Sequence, residues 1–404
     1  MNLVTTNDSI NVLIYIMIEI EDITTLDNLN EAFYECASVC KWKESVQRYT
    51  SNMLLNNIQL QEELRNGSYK LLPTTDFNLI ERGKIRKIEA PQMRDRIVQK
   101  ILMKNILLPR LTPKLIYDNY ASLHKRGTSM ARARIDVMLR RYMRHHGNDG
   151  YILLIDIRKY FENIDHEILK SMIRKDIVGV SEDVFKLIEY IIDNSSKDSK
   201  GLNLGSENPQ IYAVYYLYRL DNFIKIVKGM KYYGRYMDDM YVISDNKEEL
   251  KTLLADIKRI LGELGLEINK RKTHIVKLSH GFTYLQTKYS LVGNKIIKRL
   301  TPKKIIREKR RLKAFKRLED KGRMKCIDIL NCYMSWRGSS LKSCSSCNKS
   351  IRSIDALYKH LFGNKKPPNQ SDDSRKQLIV NIYQSASADE LMMSNRINNN
   401  LNYN

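Results

Sequence analysis

Two adjacent aspartates, Asp238 and Asp239, stand in Tyr236-Met237-Asp238-Asp239 between two apolar runs, 231–236 and 240–244. A tight reversal between strands puts its turn residues at one edge of a sheet. Carboxylates there can hold a cation but cannot be packed away. A third aspartate, Asp156, closes the run Tyr151-Ile152-Leu153-Leu154-Ile155 and precedes Ile157-Arg158-Lys159-Tyr160-Phe161. If the two strands pair, Asp156 and Asp238 meet at one rim. Converging carboxylates suit Mg2+, which prefers hard oxygen ligands and leaves positions open for phosphate. Two such ions can clamp the attacking and leaving oxygens of an in-line phosphoryl transfer. Either feature alone has a plainer reading: a solvated turn for the pair, a buried strand running into a helix cap for Asp156. The chemistry rests on all three within a basic chain.

The elements that must position these residues follow from the pattern around them. The chain has 404 residues, 69 Lys and Arg against 46 Asp and Glu, and a formal net charge of +23. That length allows two or three subdomains. That charge predicts attraction to polyanions, nucleic acid first and an anionic membrane surface second. The six cysteines show no disulfide-rich pattern, and the apolar stretch 10–20 is too short to span a bilayer. A cytoplasmic, reducing compartment is the expectation.

Helical spacing of Leu29, Ala32, Phe33 and Cys36 predicts helix over 26–64. Residues 69–89 alternate as a strand pair turning at Arg82-Gly83, and 94–108 and 129–145 read as helices. Helices are also predicted over 165–175, 181–195 and 211–227. Leu250, Leu253, Leu254, Ile257, Leu261 and Leu264 mark one face of an amphipathic helix that Gly265 stops. Residues 266–278 and 282–290 read as strands, and 303–325 as a strongly basic helix or helix pair. From 363 the chain is rich in Asn, Ser and Lys and reads as lacking stable structure. Strands alternating with helices between 150 and 290 predict an α+β fold with a mixed sheet backed by helices.

Asp156-x4-Phe161, Gly205 to Gln210 and Tyr236-Met237-Asp238-Asp239 together resemble the palm motifs of reverse transcriptases, in order and in spacing. The resemblance covers roughly 26–362. It implies a right-hand polymerase fold: fingers over 25–145, a palm with a four-stranded βαββαβ sheet over 146–290, and a helical thumb over 291–362. Residues 1–24 form an extension of uncertain status and 363–404 a tail. The implied activity is RNA-directed DNA synthesis from dNTPs on an RNA template, extending a DNA or RNA primer, with two Mg2+ ions (Mn2+ as substitute). Asp156, Asp238 and Asp239 become the catalytic metal ligands, joined by the backbone carbonyl of Ile157.

By the same resemblance, Phe161 lies under C2′ of the incoming nucleotide and excludes a 2′-hydroxyl. Leu204, Gly205 and Gln210 line the nucleotide, Lys84 and Arg86 reach its triphosphate, and Lys272 is placed to protonate pyrophosphate. The chain departs from retroviral and intron-encoded enzymes in carrying Leu204 for Gln and Pro209 for Ser. That loses one amide contact to the nucleotide and points toward diversity-generating and other bacterial groups. Phe282-Thr283-Tyr284-Leu285 matches a primer-grip hairpin only loosely. Cys344-x2-Cys347 with Cys326 and Cys332 could supply four thiolates for zinc, but the spacing is irregular. The resemblance further implies a standalone enzyme with a cognate noncoding RNA and no membrane partner, in a diversity-generating, defence, retron-like or intron-derived setting. Template-independent or protein-primed synthesis, and a non-catalytic RNA-binding scaffold, are the competing readings.

Overall fold

The computed structural model describes residues 3–4, 15–81, 84–196, 198–203, 205, 207–344 and 348–363. The chain divides into two compact units, Met1–Met138 with Gly150–Ile275 and Leu139–Asp149 with Val276–Asn404.

Within the first unit a short pair, β1 (Leu3–Val4) and β2 (Tyr15–Ile16), precedes helices Leu26–Ser38, Glu44–Ser51 and Met53–Arg65. The helix expected over 26–64 is thus three pieces. Thr25 caps the first through a bond from the Asn28 amide, and its buried stripe of Leu29, Ala32, Phe33 and Cys36 matches the spacing that predicted it. An antiparallel hairpin follows, β3 (Thr75–Glu81) with β4 (Lys84–Ala90), in register Leu79 opposite Arg86 and Glu81 opposite Lys84. Alternation therefore puts the positions of Phe77, Leu79, Lys84 and Arg86 on one face of the hairpin.

The central sheet contains β5 (Tyr151–Asp156), β6 (Tyr233–Tyr236), β7 (Asp239–Ser244) and β8 (His274–Lys277), in the order β6-β7-β5-β8. Helices His166–Asp176, Glu182–Asp193 and Asn208–Tyr216 intervene between β5 and β6, and Lys247–Glu263 between β7 and β8. This is the βαββαβ order expected of a palm. β5 is buried at every position from Ile152 to Asp156, which explains its unbroken apolar run: a strand covered on both faces has no polar side to alternate with. The helix expected over 211–227 is three consecutive pieces, Asn208–Tyr216, Tyr218–Asn222 and a π-helical Phe223–Val227. The strand expected over 266–278 shrinks to β8. Residues 267–273 instead form a turn tied to the end of β5, because their polar Asn269-Lys270-Arg271-Lys272 run bonds backbone to backbone there.

The outer edge of β6 is closed by a loop. Tyr120 N–H donates to Arg235 O at 2.9 Å and Arg235 N–H to Asp118 O at 3.0 Å. Buried Asp118 receives Arg134 Nε at 2.9 Å and Lys225 Nζ at 3.0 Å, and the Tyr120 hydroxyl meets that of Tyr241 at 3.0 Å. Gly234 makes room for these rings, since a Cβ there would stand 2.3 Å from the Tyr120 hydroxyl.

In the second unit β9 (Phe282–Tyr284), β10 (Thr287–Val292) and β11 (Lys295–Leu300) form an antiparallel sheet. The single strand expected over 282–290 is a hairpin, because Leu285 and Gln286 both take positive φ and reverse the chain. Three helices follow, Pro302–Asp320, Cys326–Lys342 and Asn348–Phe362, around a core of Leu312, Ile329, Tyr333, Ile354 and Tyr358. Lys303, Arg307, Arg310 and Arg317 are exposed on the first of these at helical spacing, giving it a basic stripe. Among the described residues, no helix is long and apolar enough to cross a membrane.

Candidate active site

The Asp-Asp turn is a two-residue hairpin: Tyr236 pairs with Asp239, leaving Met237 and Asp238 as the loop. Met237 has φ of +53°. A positive φ at the first loop residue is the type II′ habit, normally glycine's, and a methionine held there is a strained residue. Asp239 is the strand partner of Asp156, so the residue directly opposite Asp156 is Asp239, while Asp238 projects from the loop beside them. The expectation that Asp156 and Asp238 meet at one rim did not specify the register, which the two-residue loop sets with Asp239 across from Asp156.

Arg235 holds the turn from below. Its side chain and that of Asp221 are fully buried. Nε and Nη2 donate to the two Asp221 oxygens at 2.8 and 2.6 Å, Nη2 to Val214 O at 2.8 Å, and Nη1 to Met237 O at 3.2 Å. The Tyr233 hydroxyl also donates to Asp221. Neither Arg235 nor Asp221 was singled out from sequence. The available signal was a charge inside a four-residue strand and another inside an apolar helix, each lacking a solvent face.

The end of β5 is fixed from the other side. Asn269 N–H donates to Asp156 O at 2.7 Å, Arg158 N–H to Glu267 O at 2.8 Å, and Asp156 N–H to Thr273 Oγ1 at 3.3 Å. Ile157 forms an isolated bridge with Ile268. On this turn Lys272 reaches back, and its Nζ donates to Asp156 Oδ2 at 2.5 Å.

Electrostatically the cluster is poor in positive charge. Burial, with the like charges of Asp238 and Asp156, pushes Asp239 up to about 7, and Lys272 opposes this. Burial and Asp156 also raise Asp238, against Lys272 and Arg86. Among the described residues no three His, Cys, Asp or Glu side chains stand in ready-made ligating positions. The three carboxylates are neighbours rather than a finished cage. They nevertheless fit a hard divalent cation, because they are oxygen donors whose mutual repulsion such an ion removes.

A pH dependence follows. Asp239 has a folded pKa above its unfolded one, so its charge weakens the fold. That penalty is complete above about pH 7 and disappears as pH falls toward 4. Cation binding needs the charged carboxylates. Mn2+ should therefore raise the melting temperature more at pH 8 than at pH 6. An equal shift at both would refute this account of Asp239.

The other expected residues sort as follows. Phe161 begins a 3-10 turn beside Gly201 and Leu202, with Leu202 N–H donating to Phe161 O and Gly201 N–H to Ile164 O, both at 2.8 Å. Its ring is half-buried and edge-on to Tyr160. Gly205 has φ of +151° and lies so near β4 that a Cβ would sit 2.4 Å from Glu89 O; glycine is required there on both counts. Gln210 is exposed at the start of its helix and receives the Ser122 hydroxyl at 3.0 Å. Arg86 lies near enough to Asp238 to lower it. Lys84 is in β4, and its side chain and Leu204 lie outside the described residues. His166 sits at the start of its helix: Asp165 caps the helix and His166 Nε2 bonds Gly201 O at 2.7 Å. Of the zinc candidates, Cys326 and Cys332 lie on one helix, Cys344 is disulfide-bonded and has no thiolate to offer, and Cys347 lies outside the described residues.

Residues 73–289, more than half of the chain, match the family described as reverse transcriptase (RNA-dependent DNA polymerase). Among curated proteins, the COX1/OXI3 intron 1 protein of Saccharomyces cerevisiae is 22% identical over 283 residues, 55% of this chain and 33% of that protein. The retron Ec48 reverse transcriptase of Escherichia coli is 27% identical over 131 residues, 32% of this chain and 31% of that protein. The chain thus spans about a third of the length of each of these relatives. Among solved structures, apo telomerase of Candida tropicalis aligns with a TM-score of 0.46 at 13% identity, over 72% of this chain and 56% of that one. Telomerase of Candida albicans with a TWJ fragment of telomeric RNA aligns at 0.43 and 11%, over 74% and 63%.

Proposed function

Because the chain belongs to the reverse transcriptase family, we propose that it is an RNA-directed DNA polymerase that joins dNTPs to a primer 3′-hydroxyl along an RNA template. The observation that carries this reading is the convergence of Asp156, which is buried, with Asp238 and Asp239, which are half-buried, at one end of the central sheet. Mg2+ or Mn2+ held by these carboxylates, with the Ile157 carbonyl as a further oxygen, would neutralise charge on the attacking and leaving oxygens.

The chain's own residues do the rest. Nucleotidyl transfer needs positioning and charge stabilisation rather than covalent help from protein. The positions of Lys84 and Arg86 share one face of the β3-β4 hairpin, and these two residues would meet the triphosphate through charge-assisted bonds, which are strong. Gly205 would let backbone approach the nucleotide, and Leu204 and Gln210 are the other residues assigned to line it. Lys272, bonded to Asp156, would supply the proton to a departing pyrophosphate. The basic stripe on Pro302–Asp320 suits a nucleic-acid backbone. The partners on this reading are an RNA template, a primer and a cognate noncoding RNA. The intron-protein and retron relatives favour a retroelement-like setting.

Primer extension with purified protein tests the reading, comparing RNA, DNA and no template, and dNTPs with NTPs. RNA-templated dNTP incorporation supports it. Synthesis without template moves the chain to the untemplated class, and no synthesis with any template or cation favours the scaffold. The sugar gate has its own test. Phe161→Ala should narrow the preference for dNTP over NTP by about tenfold or more, since a lost steric wall of this size is worth over 1 kcal/mol. An unchanged ratio would remove Phe161 from that role.

A further inference from the structure

Lys272 is bonded to the carboxylate that a cation would need. Its Nζ lies 2.5 Å from Asp156 Oδ2, with the lysine side chain 60% exposed and the aspartate side chain 7%. The backbone beneath it is fixed: Lys272 N–H donates to Asn269 O at 3.0 Å, Thr273 N–H to the same oxygen at 2.9 Å, and Asn269 N–H to Asp156 O at 2.7 Å. Only the flexible stem is free to move, and it can leave toward solvent without disturbing the core. Lys272 also stabilises the charged forms of Asp238 and Asp239. One ammonium therefore serves three carboxylates.

We propose that Lys272 is the resident counter-ion of the cation-free site, and that an incoming divalent cation must displace its ammonium from Asp156. This rests on the polymerase reading and deepens it. The site is kept from collapsing under its own repulsion, and its lysine is freed only when the cation arrives. The ammonium is then available to a phosphate bound beside the same carboxylates, so cation loading and phosphate capture are linked through one side chain. Arg86, the other cation felt by Asp238, comes from the β3-β4 hairpin.

The test is direct Mn2+ binding to the full chain by electron paramagnetic resonance, with melting temperatures in EDTA and in Mn2+. Lys272→Met should lower the Mn2+ Kd about two- to fivefold, the worth of an ion pair with one half-exposed partner. It should also melt lower than wild type in EDTA and gain more on adding Mn2+. Lys272→Gln, which keeps a polar head, should behave the same way if the methionine variant folds poorly. Unchanged or weaker Mn2+ binding in both variants overturns the proposal. Asp156→Asn separates the two levels: if it too leaves Mn2+ affinity unchanged, the carboxylate site itself fails, whatever Lys272 does.

Discussion

Asp238→Ala should abolish nucleotide incorporation, by at least about three orders of magnitude, while making the cation-free protein harder to melt. The loss follows from removing a charge that positions the cation, since such stabilisation contributes several kcal/mol to the barrier and each 1.4 kcal/mol is tenfold in rate. The gain in stability follows from burial. Asp238 is held above its ordinary pKa by desolvation and by Asp156, so its charge opposes folding. Removing it relieves Asp239, which is raised further by the same neighbours. A stabilisation of about 1 kcal/mol is the usual yield of repairing a functional liability. Incorporation assays and thermal melts in EDTA, on the same preparations, check both signs. A variant that loses activity and also melts lower would mean that Asp238 supports the fold, and the site would need another explanation.

The second large effect belongs to a residue that touches no substrate. Arg235→Met, or Asp221→Asn, should each destabilise the protein by about 3–5 kcal/mol, the cost of leaving one member of a buried ion pair uncompensated. Both side chains are fully buried, so water cannot rescue the survivor. The double variant Arg235→Met with Asp221→Leu should recover most of that stability, because a packed apolar pair of similar volume is often as stable as the ions it replaces. Its activity should stay low, because the bond from Arg235 Nη1 to Met237 O is still missing and the strained turn loses its anchor. Denaturant melts and single-turnover rates on the three proteins separate the two roles. Recovery of activity together with stability would show that Arg235 only packs.

The difference between these two predictions reflects what a sequence displays. The meeting of Asp156, Asp238 and Asp239 at one rim was legible because each stands at the end of an apolar run that reads as a strand. The β5 run and the amphipathic Lys247–Glu263 helix were legible because burial on two faces and on one face leaves different periods. Arg235 was not legible, because a buried ion pair is defined by a partner fourteen residues away in an element whose own pattern reads as continuous helix. The 267–273 turn was missed for a related reason. Its apolar Leu266 and Ile268 alternate like a strand, and only the backbone bonds to β5 make it a turn. The Asp156–Asp239 pairing needed the loop length, which motif spacing does not give.

The stitching of residues 267–273 onto Asp156 also sets an order of assembly. β5 pairs with β7, over eighty residues further along, and the backbone bonds that fix its far end come from residues more than a hundred positions later. Contacts of such long sequence separation form late in folding, and a chain emerging from the ribosome folds its earlier parts first. The first aspartate is therefore made early and waits. Helices between β5 and β6 can condense in the meantime, but the carboxylates are not brought to their final spacing until the turn carrying Lys272 has been synthesised. A nascent chain stalled before that point would carry its acidic residues without the lysine that offsets them, and so without the geometry that concentrates their charge.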